Sequence, residues 1–140
     1  MLKTPLLHPQ ILAALGSAGH GSTVLIADGN YPFVTQSPDG AEFVFLNLTP
    51  GKLTVTDVLA PVAAVIPIES YTVMDTPSGV PKPTIYDEFE RLIPGVPQQR
   101  LGRHDFYEAA RSAQTVLVIA TGEQRIYANI LLAIGVIPPP

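Results

Sequence analysis

The run TVLVIAT, residues 115–121, constrains the fold more than any other feature of the sequence. All of its residues except Ala120 are β-branched or aliphatic, which predicts a central strand. The run TVLIAD, residues 23–28, predicts a second strand that is buried on both faces. Helical and strand patterns alternate along the chain, which favours an α/β sandwich with a mainly parallel sheet. The length of 140 residues suits a single domain, residues 1–140.

Four short helices are predicted from the spacing of apolar residues between these strands. They begin at Pro9, Thr54, Thr84 and His104. Asp57 and Asp87 each lie three residues after a threonine that opens a helix, so both pairs can form N-terminal caps. The fourth helix is predicted to end near Gln114.

The charge pattern argues against a nucleic-acid partner. Eight basic and twelve acidic residues give a net charge of -4, with no run of Lys or Arg, so the positive surface that phosphate backbones require is missing. Without cysteine the chain can form no disulfide, thiolate nucleophile or sulfur-bound zinc site. Charged residues make up 14% of the chain and apolar residues 46%, which predicts buried contacts between subunits.

No apolar run approaches the roughly 18 residues of a membrane span. The first ten residues, MLKTPLLHPQ, lack the continuous hydrophobic stretch of a signal peptide. We therefore expect a cytoplasmic protein without a membrane partner.

Several familiar site motifs are absent. The chain has no Gly-x-Ser-x-Gly elbow, and Leu53 follows Gly51 and Lys52 where a phosphate-binding loop needs Ser or Thr. Nucleotide cofactors therefore receive no support. The three histidines, at positions 8, 20 and 104, never form a closely spaced pair, which argues against a metal site.

Two polar residues flank the first predicted strand. His20 lies between Gly19 and Gly21, which leave its ring unobstructed by neighbouring side chains. Asp28 follows the strand at the end where open α/β sheets bind ligands. A histidine is the usual proton carrier near neutral pH, and Asp28 could orient or charge it. The alternatives are a surface loop histidine and an aspartate that only ends the strand.

Tyr127 and Asn129 straddle Ala128 in extended spacing, so both side chains are predicted to point to the same face of a strand. A phenol and a carboxamide on an otherwise apolar strand are costly to bury without partners, which favours a binding site. Arg103 could clamp a substrate or be a surface charge beside a helix. Glu123 and Arg125, in the preceding turn, are expected to be solvated.

These segments together resemble a known family of sugar-converting proteins. The matching stretches are MLKTPLLHP, the GHG turn, IADGNYP, GRHDFYEAA and TGEQRIYANILLAIGV. They resemble the family that contains L-fucose mutarotase and D-ribose pyranase, and they extend over nearly the whole chain. The resemblance implies a three-layer α/β/α sandwich that assembles into a ring-shaped homo-oligomer, often a decamer, with sites built between adjacent subunits.

The resemblance also assigns roles to individual residues. It makes His20 the catalytic histidine and Asp28 a sugar-binding carboxylate, and it implies that Tyr127, Ala128 and Asn129 contact substrate from a neighbouring subunit. Ribose pyranases typically carry His at the position of Arg103, whereas fucose mutarotases carry Arg followed after two residues by Phe-Tyr-Glu, as in residues 106–108 here. His104 replaces a usually hydrophobic residue, so a shift of register by one residue keeps the pyranase alternative open.

The activity that this resemblance implies is the interconversion of the anomers of a free monosaccharide, with L-fucose favoured, by acid/base opening and closing of the ring. Neither a cofactor nor a metal is needed. In this scheme His20 moves the proton, Asp28 holds a sugar hydroxyl and tunes His20, and Arg103, Tyr127 and Asn129 orient the other hydroxyls. The alternatives are a D-ribose pyranase and a non-catalytic monosaccharide-binding or transport-accessory protein.

Overall fold

A six-stranded sheet forms the centre of the computed structural model, which describes all residues from Met1 to Pro140. Its strands are β1 (Thr23–Ala27), β2 (Glu42–Phe45), β3 (Ile68–Met74), β4 (Gln98–Leu101), β5 (Thr115–Ala120) and β6 (Ile130–Ile134). The helices are α1 (Pro9–Ser17), α2 (Val55–Ala63), α3 (Ile85–Leu92) and α4 (Arg103–Ala110). None of these helices is long and apolar enough to cross a membrane.

The strand order is β2-β5-β1-β6-β3-β4, so β5 is an interior strand, as its sequence predicted. Strand β6 runs antiparallel to both β1 and β3, whereas the other three strand pairs are parallel. The sheet is therefore mixed, although five of its strands share one direction. The reason is local, because residues 121–129 between β5 and β6 are fewer than the dozen or more that a parallel crossover needs.

Alternate residues of the inner strands enter two separate hydrophobic cores. In β1, Val24 and Ile26 join the larger core, which includes apolar residues of α1, α2 and α3. Leu25 and Ala27 join the smaller core with Phe106 of α4. Because successive side chains of a strand point to opposite faces, both faces of the inner strands are covered. This explains why β1 and β5 are almost continuously apolar.

The helix predictions hold at two starts and fail at two boundaries. The first helix begins at Pro9, and Thr54 forms a capping box with Asp57, as predicted. Thr84 precedes α3 with helical backbone angles, and its side chain makes no capping hydrogen bond, so the predicted cap with Asp87 is wrong. Asp87 pairs with a lysine side chain instead. The last helix ends at Ala110, before residue 114, because the following residues form the turn into β5.

The two ends of β1 lie on opposite sides of the sheet along the strand direction, which are called opposite edges here. At its carboxyl end, Asp28 lies beside the residues that lead into β6. At its amino end, the Gly21 N–H donates to the carbonyl of Ile134 at the far end of β6, at 3.0 Å. Two sets of polar side chains therefore occupy opposite edges, one around Asp28 and one around His20.

Candidate active site

Asp28 is a buried carboxylate, 2% exposed, that several hydrogen bonds hold in place. Its carboxylate accepts hydrogen bonds from the N–H groups of Asn30 and Ala128, at 3.0 and 3.2 Å, and from Nδ2 of Asn129 at 3.1 Å. The Asp28 N–H donates in return to Oδ1 of Asn129 at 2.8 Å. This exchange ties the end of β1 to the start of β6 and fixes the carboxylate in one orientation.

Burial raises the pKa of the Asp28 carboxyl group above its ordinary value, and the N–H donors that surround it offset only part of this effect. The N–H groups of Asn30, Ala128 and Tyr31 and the side-chain amide of Asn129 surround this carboxylate. Asp28 also lines the cavity described next, where a hydroxyl group of a ligand can approach it.

A cavity of about 300 Å³ opens beside this carboxylate. It is lined by Asp28, Asn30, Tyr31, Met74, Arg103, Tyr107, Ile126, Tyr127 and Asn129. Four of the residues that the sequence singled out as substrate contacts thus meet in one place. Ala128, the fifth, is buried beneath them and contributes its N–H group to Asp28.

Tyr127 and Asn129 share this cavity for a different reason from the one predicted. The prediction that both side chains point to one face of a strand is wrong, because β6 begins only at Ile130 and Tyr127 lies in a turn with φ of 59°. A positive φ is uncommon for a residue other than glycine and is often retained at functional sites. The turn brings the tyrosine to the cavity, while the bonds to Asp28 hold Asn129.

Arg103 and two tyrosines form one wall of the cavity. Arg103, the first residue of α4, donates from Nε to the hydroxyl of Tyr107 at 3.1 Å, and its guanidinium carbon lies 5.5 Å from the ring centre. The Tyr107 ring meets Tyr31 edge to face at 5.6 Å. The terminal amino groups of Arg103 make no hydrogen bond within the chain, so they are available to donate to a ligand.

Glu123 is not solvated as the sequence suggested, whereas the Arg125 side chain is partly exposed. Glu123 is 4% exposed, and its two carboxylate oxygens accept from Nε and Nη2 of Arg125 at 3.0 and 2.8 Å. Arg125 also donates from Nη1 to Glu88 of α3 at 2.6 Å. Burial acts to raise the pKa of the Glu123 carboxyl group, but its bonds to Arg125 outweigh burial and hold that pKa below its usual value. This cluster fixes the loop that carries Tyr127.

His20 lies away from this cavity, and the prediction that Asp28 orients it fails within one chain. The two residues flank β1 at opposite ends, and a five-residue strand alone is roughly 16 Å long at 3.3 Å per residue. His20 instead contacts Glu69, with 3.0 Å between Nε2 and Oε2. No group of three or more His, Asp or Glu side chains lies close enough together to hold a metal ion.

The sequence reasoning missed several residues that line the cavity. Asn30 and Tyr31 come two and three residues after Asp28, so their position after a strand was a usable signal. Met74 ends β3, and only the strand order places it near Asp28. Glu69 carried no sequence signal, because nothing in its surroundings pointed to His20, 49 positions earlier.

Comparison with known proteins identifies the family. A D-ribose pyranase of Pseudomonas putida is 33% identical over 137 residues, which cover 97% of this chain and 98% of that protein. A fucose mutarotase of Bos taurus is 30% identical over 147 residues, which cover 96% of this chain and 92% of that protein.

Solved structures of both kinds share the fold. The fucose mutarotase of Streptococcus pneumoniae in complex with L-fucose matches with a TM-score of 0.84 and 27% identity, over 99% of this chain and 100% of that one. Bacillus subtilis RbsD complexed with D-ribose matches with a TM-score of 0.82 and 26% identity, over the same shares. The model of the RbsD / FucU transport protein family matches residues 1–137. This chain therefore belongs to the RbsD/FucU family.

Proposed function

We propose that this protein interconverts the anomers of a free monosaccharide, with L-fucose as its substrate. The observation that carries the proposal is the cavity in which the buried Asp28 carboxylate meets Arg103, Tyr127 and Asn129. Its polar groups alternate with aromatic and aliphatic surface, which suits an uncharged polyol. Relatives that are named fucose mutarotase and D-ribose pyranase support the same class of reaction.

For this reaction the protein mainly has to place groups that accept and donate protons. Opening the ring requires a base at the anomeric hydroxyl and an acid at the ring oxygen, and closing it on the other face reverses both transfers. Each well-placed proton carrier accelerates such a step by about 10²- to 10⁴-fold. This is sufficient because the uncatalysed reaction already proceeds in water, and it requires neither a cofactor nor a metal.

The cavity residues bind and orient the sugar in this proposal. Asp28 accepts a hydrogen bond from one sugar hydroxyl, and Ala128 holds that carboxylate through its N–H group. Arg103 donates to a second hydroxyl through its free amino groups. Tyr127 and Asn129 orient the remaining hydroxyls from the other side.

His20 supplies the proton transfer, and we propose that it does so in the cavity of a second copy of the chain. Within one chain it lies at the opposite edge of the sheet from Asp28. Its side chain is 60% exposed and therefore free to enter a neighbouring cavity. Ile126, on the rim of the cavity, is 64% exposed and offers apolar surface for such a contact.

Two features of the cavity favour L-fucose over D-ribose. Arg103 matches the fucose branch of the resemblance, and Met74 and Ile126 add aliphatic surface to the lining. L-fucose carries a C6 methyl group that D-ribose lacks, and burial of one such group contributes about 0.8 kcal/mol. D-ribose pyranase activity is the alternative, and the 33% identity to a protein of that name supports it.

Saturation-transfer NMR tests the activity directly. With L-fucose, the protein is expected to speed exchange between the α and β anomers, and with D-ribose any faster exchange between pyranose and furanose forms should be weaker. Faster exchange with D-ribose alone would replace the fucose assignment by the pyranase one. Binding without faster exchange of either sugar would favour the non-catalytic sugar-binding alternative and contradict the proposal.

Mixing two inactive variants tests whether the site is shared. His20→Ala keeps the cavity and Asp28→Asn keeps the histidine, so subunit exchange between them restores sites in which each copy supplies its intact half. An equal mixture should regain about a quarter of wild-type activity, because each half is intact in half of the subunits. Subunit exchange is verified first. If activity still does not recover, the two residues do not act in one shared site. The homodecameric ring and the cytoplasmic location stay predictions.

A further inference from the structure

We infer that a second cavity, next to the one that Asp28 lines, is a binding site for an uncharged polyhydroxyl ligand, either a free sugar or a sugar alcohol. This space, called the second cavity below, has a volume of about 390 Å³. The turn after β1, the loop after β2 and the turn after β5 form its walls. The reaction proposed above does not use it, so the inference goes beyond that function.

The second cavity lies where three parallel strands end. Strand β5 pairs in parallel with β1 on one side and with β2 on the other. The residues that follow these strands and enter the lining include Asn30, Asn47 and Gln124. Open α/β sheets bind ligands in the crevice outside the carboxyl ends of their strands. The second cavity therefore occupies a position that is typical of a ligand site.

The lining suits a neutral ligand with several hydroxyl groups. Four exposed side chains of the lining form no hydrogen bond within the chain, namely those of Asn30, Asn47, Thr49 and Gln124. An amide or a hydroxyl group can both donate and accept, and so can each hydroxyl group of a sugar. These side chains can therefore pair with a polyol in either direction.

The same lining argues against charged and apolar ligands. It contains no Lys, Arg or His, so an anion would find no cationic side chain. Its one charged residue is Glu123, whose two carboxylate oxygens both accept hydrogen bonds from Arg125. Leu48 is the only large apolar residue of the lining, and it is 90% exposed. An uncharged polar ligand is the class that remains.

Backbone contacts fix the walls of the second cavity. The N–H group of Gly51 donates to the carbonyl of Gly122 at 2.7 Å, and the N–H group of Gly122 donates to the carbonyl of Leu53 at 3.1 Å. A Cβ atom added at Gly122 would lie 2.3 Å from the carbonyl oxygen of Lys52, so only glycine permits this approach. Leu53 has φ of 52°, which is uncommon for leucine and is maintained by these contacts. The cavity is therefore formed before a ligand binds, which lowers the cost of ordering.

Asn30 joins the second cavity to the first. It lines both cavities, and its N–H group donates to Oδ1 of Asp28 at 3.0 Å. The N–H group of Gly29 donates to the carbonyl of Glu123 at 2.9 Å, and an added Cβ atom at Gly29 would lie 3.1 Å from that oxygen. The two cavities thus share a wall that the sheet holds in place.

Tryptophan reporters test the two cavities separately, because the chain contains no tryptophan. Leu48→Trp places an indole in the lining of the second cavity, and Ile126→Trp places one on the rim of the first. Titration with L-fucose, and with its open-chain alcohol L-fucitol, should change the emission of Leu48→Trp until it saturates. Saturation with both ligands identifies a site for polyols in general, and saturation with L-fucose alone identifies a site for a sugar ring.

Equilibrium dialysis measures the second cavity without a reporter. The wild-type chain should bind a second molecule of L-fucose in addition to the one in the first cavity. The double variant Thr49→Val/Gln124→Leu removes a hydroxyl and an amide from the lining and should weaken this second binding by about tenfold or more, as expected for two lost hydrogen bonds. Gln114→Leu makes the same change at an exposed glutamine before β5, at the opposite edge of the sheet, and should bind as wild type. Asn47→Leu takes the place of the double variant if that protein does not fold.

The outcomes separate this inference from the proposed function. If no binding to the wild-type chain is weakened by the lining variants and the emission of Leu48→Trp stays constant, the second site is wrong, whatever the first cavity binds. If a second molecule binds to the lining variants as tightly as to wild type, its site lies elsewhere and the inference is overturned. If the lining variants lose a bound molecule but wild type converts no sugar, the proposed function fails and the second site stands.

Discussion

Replacing Arg125 by methionine removes the partner of a buried carboxylate and leaves the aliphatic part of the side chain in place. Glu123, 4% exposed, loses both of its guanidinium hydrogen bonds, at 3.0 and 2.8 Å. It keeps the backbone N–H donors of residues 125 and 55. The glutamate cannot turn to solvent without disturbing the loop that holds Tyr127, so the loss falls on the folded state.

The magnitude follows from these contacts. A hydrogen bond to a charged group contributes about 1.5–3 kcal/mol when it is buried. The Arg125 side chain is 37% exposed, so water replaces part of what is lost, and we expect a loss of about 2–3 kcal/mol in the free energy of unfolding. For a domain of 140 residues this corresponds to a fall in Tm of about 8 °C.

The pH dependence gives the loss a signature. Although burial alone would raise it, Arg125 holds the pKa of the Glu123 carboxyl group below its usual value in the folded protein. The stabilisation is therefore complete above the unfolded pKa of about 4.3 and disappears as the pH falls through the lower folded pKa. The difference between wild type and variant should be largest near neutral pH and should shrink as the pH falls below about 4.

Urea unfolding of both proteins between pH 3 and 8 measures this difference. Glu88→Gln, which removes only the outer partner of Arg125, is the matched control and should change the unfolding free energy by less than about 1 kcal/mol. A loss below about 0.5 kcal/mol for Arg125→Met, on the scale of exposed pairs, or a loss that stays constant down to pH 3, would refute the reasoning.

Four further substitutions test packing, helix propensity and capping in the fold. Gly122→Ala should unfold or strongly destabilise the protein, since its Cβ would clash with the backbone carbonyl of Lys52. Gly16→Ala, in an open helical position, should stabilise the protein by about 0.5–1 kcal/mol. Thermal melts compare the two variants. Thr54→Ala removes the capping box of α2 and should lower the free energy of unfolding by about 1 kcal/mol in urea titrations. An unchanged free energy would show that the capping box does not stabilise α2. Phe106→Ala should lower the free energy of unfolding by about 3–5 kcal/mol. It should also weaken sugar binding in titration calorimetry, because the Phe106 ring packs against Tyr31 with 6.3 Å between ring centres. Unchanged affinity would show that this core does not support the cavity.

Local patterns were reliable where one physical cause acts alone. The four residues Val24 to Ala27 are each 0% exposed, as a strand covered on both faces requires. The capping box of Thr54 and Asp57 depends only on residues three apart, so it too could be read from the sequence. Asp28 directly follows the end of β1 as predicted, and its N–H group bonds to the Asn129 side chain and not to a neighbouring strand.

Local patterns failed where a residue outside the pattern competes for the same group. Asp87 could cap α3 by its spacing, but it pairs with Lys82, which the preceding loop brings close. The spacing of Tyr127 and Asn129 fits a strand, but Asn129 bonds to Asp28, 101 positions earlier, and the chain turns at Tyr127. Glu123 lies in a turn, which suggested a solvated side chain. In the fold it is buried, because an adjoining loop packs against this turn.

The sequence by itself determines most helices and strands, because propensity and capping act between near neighbours. The matched segments identify the family. The sequence also places polar side chains at the end of β1. The separation of His20 from Asp28 already follows from the extended length of β1. Tertiary structure alone decides the partners of these side chains. The register of β3 against β6 brings Glu69 to His20, and the antiparallel entry of β6 brings Asn129 to Asp28, since strand pairing joins positions that no local spacing relates.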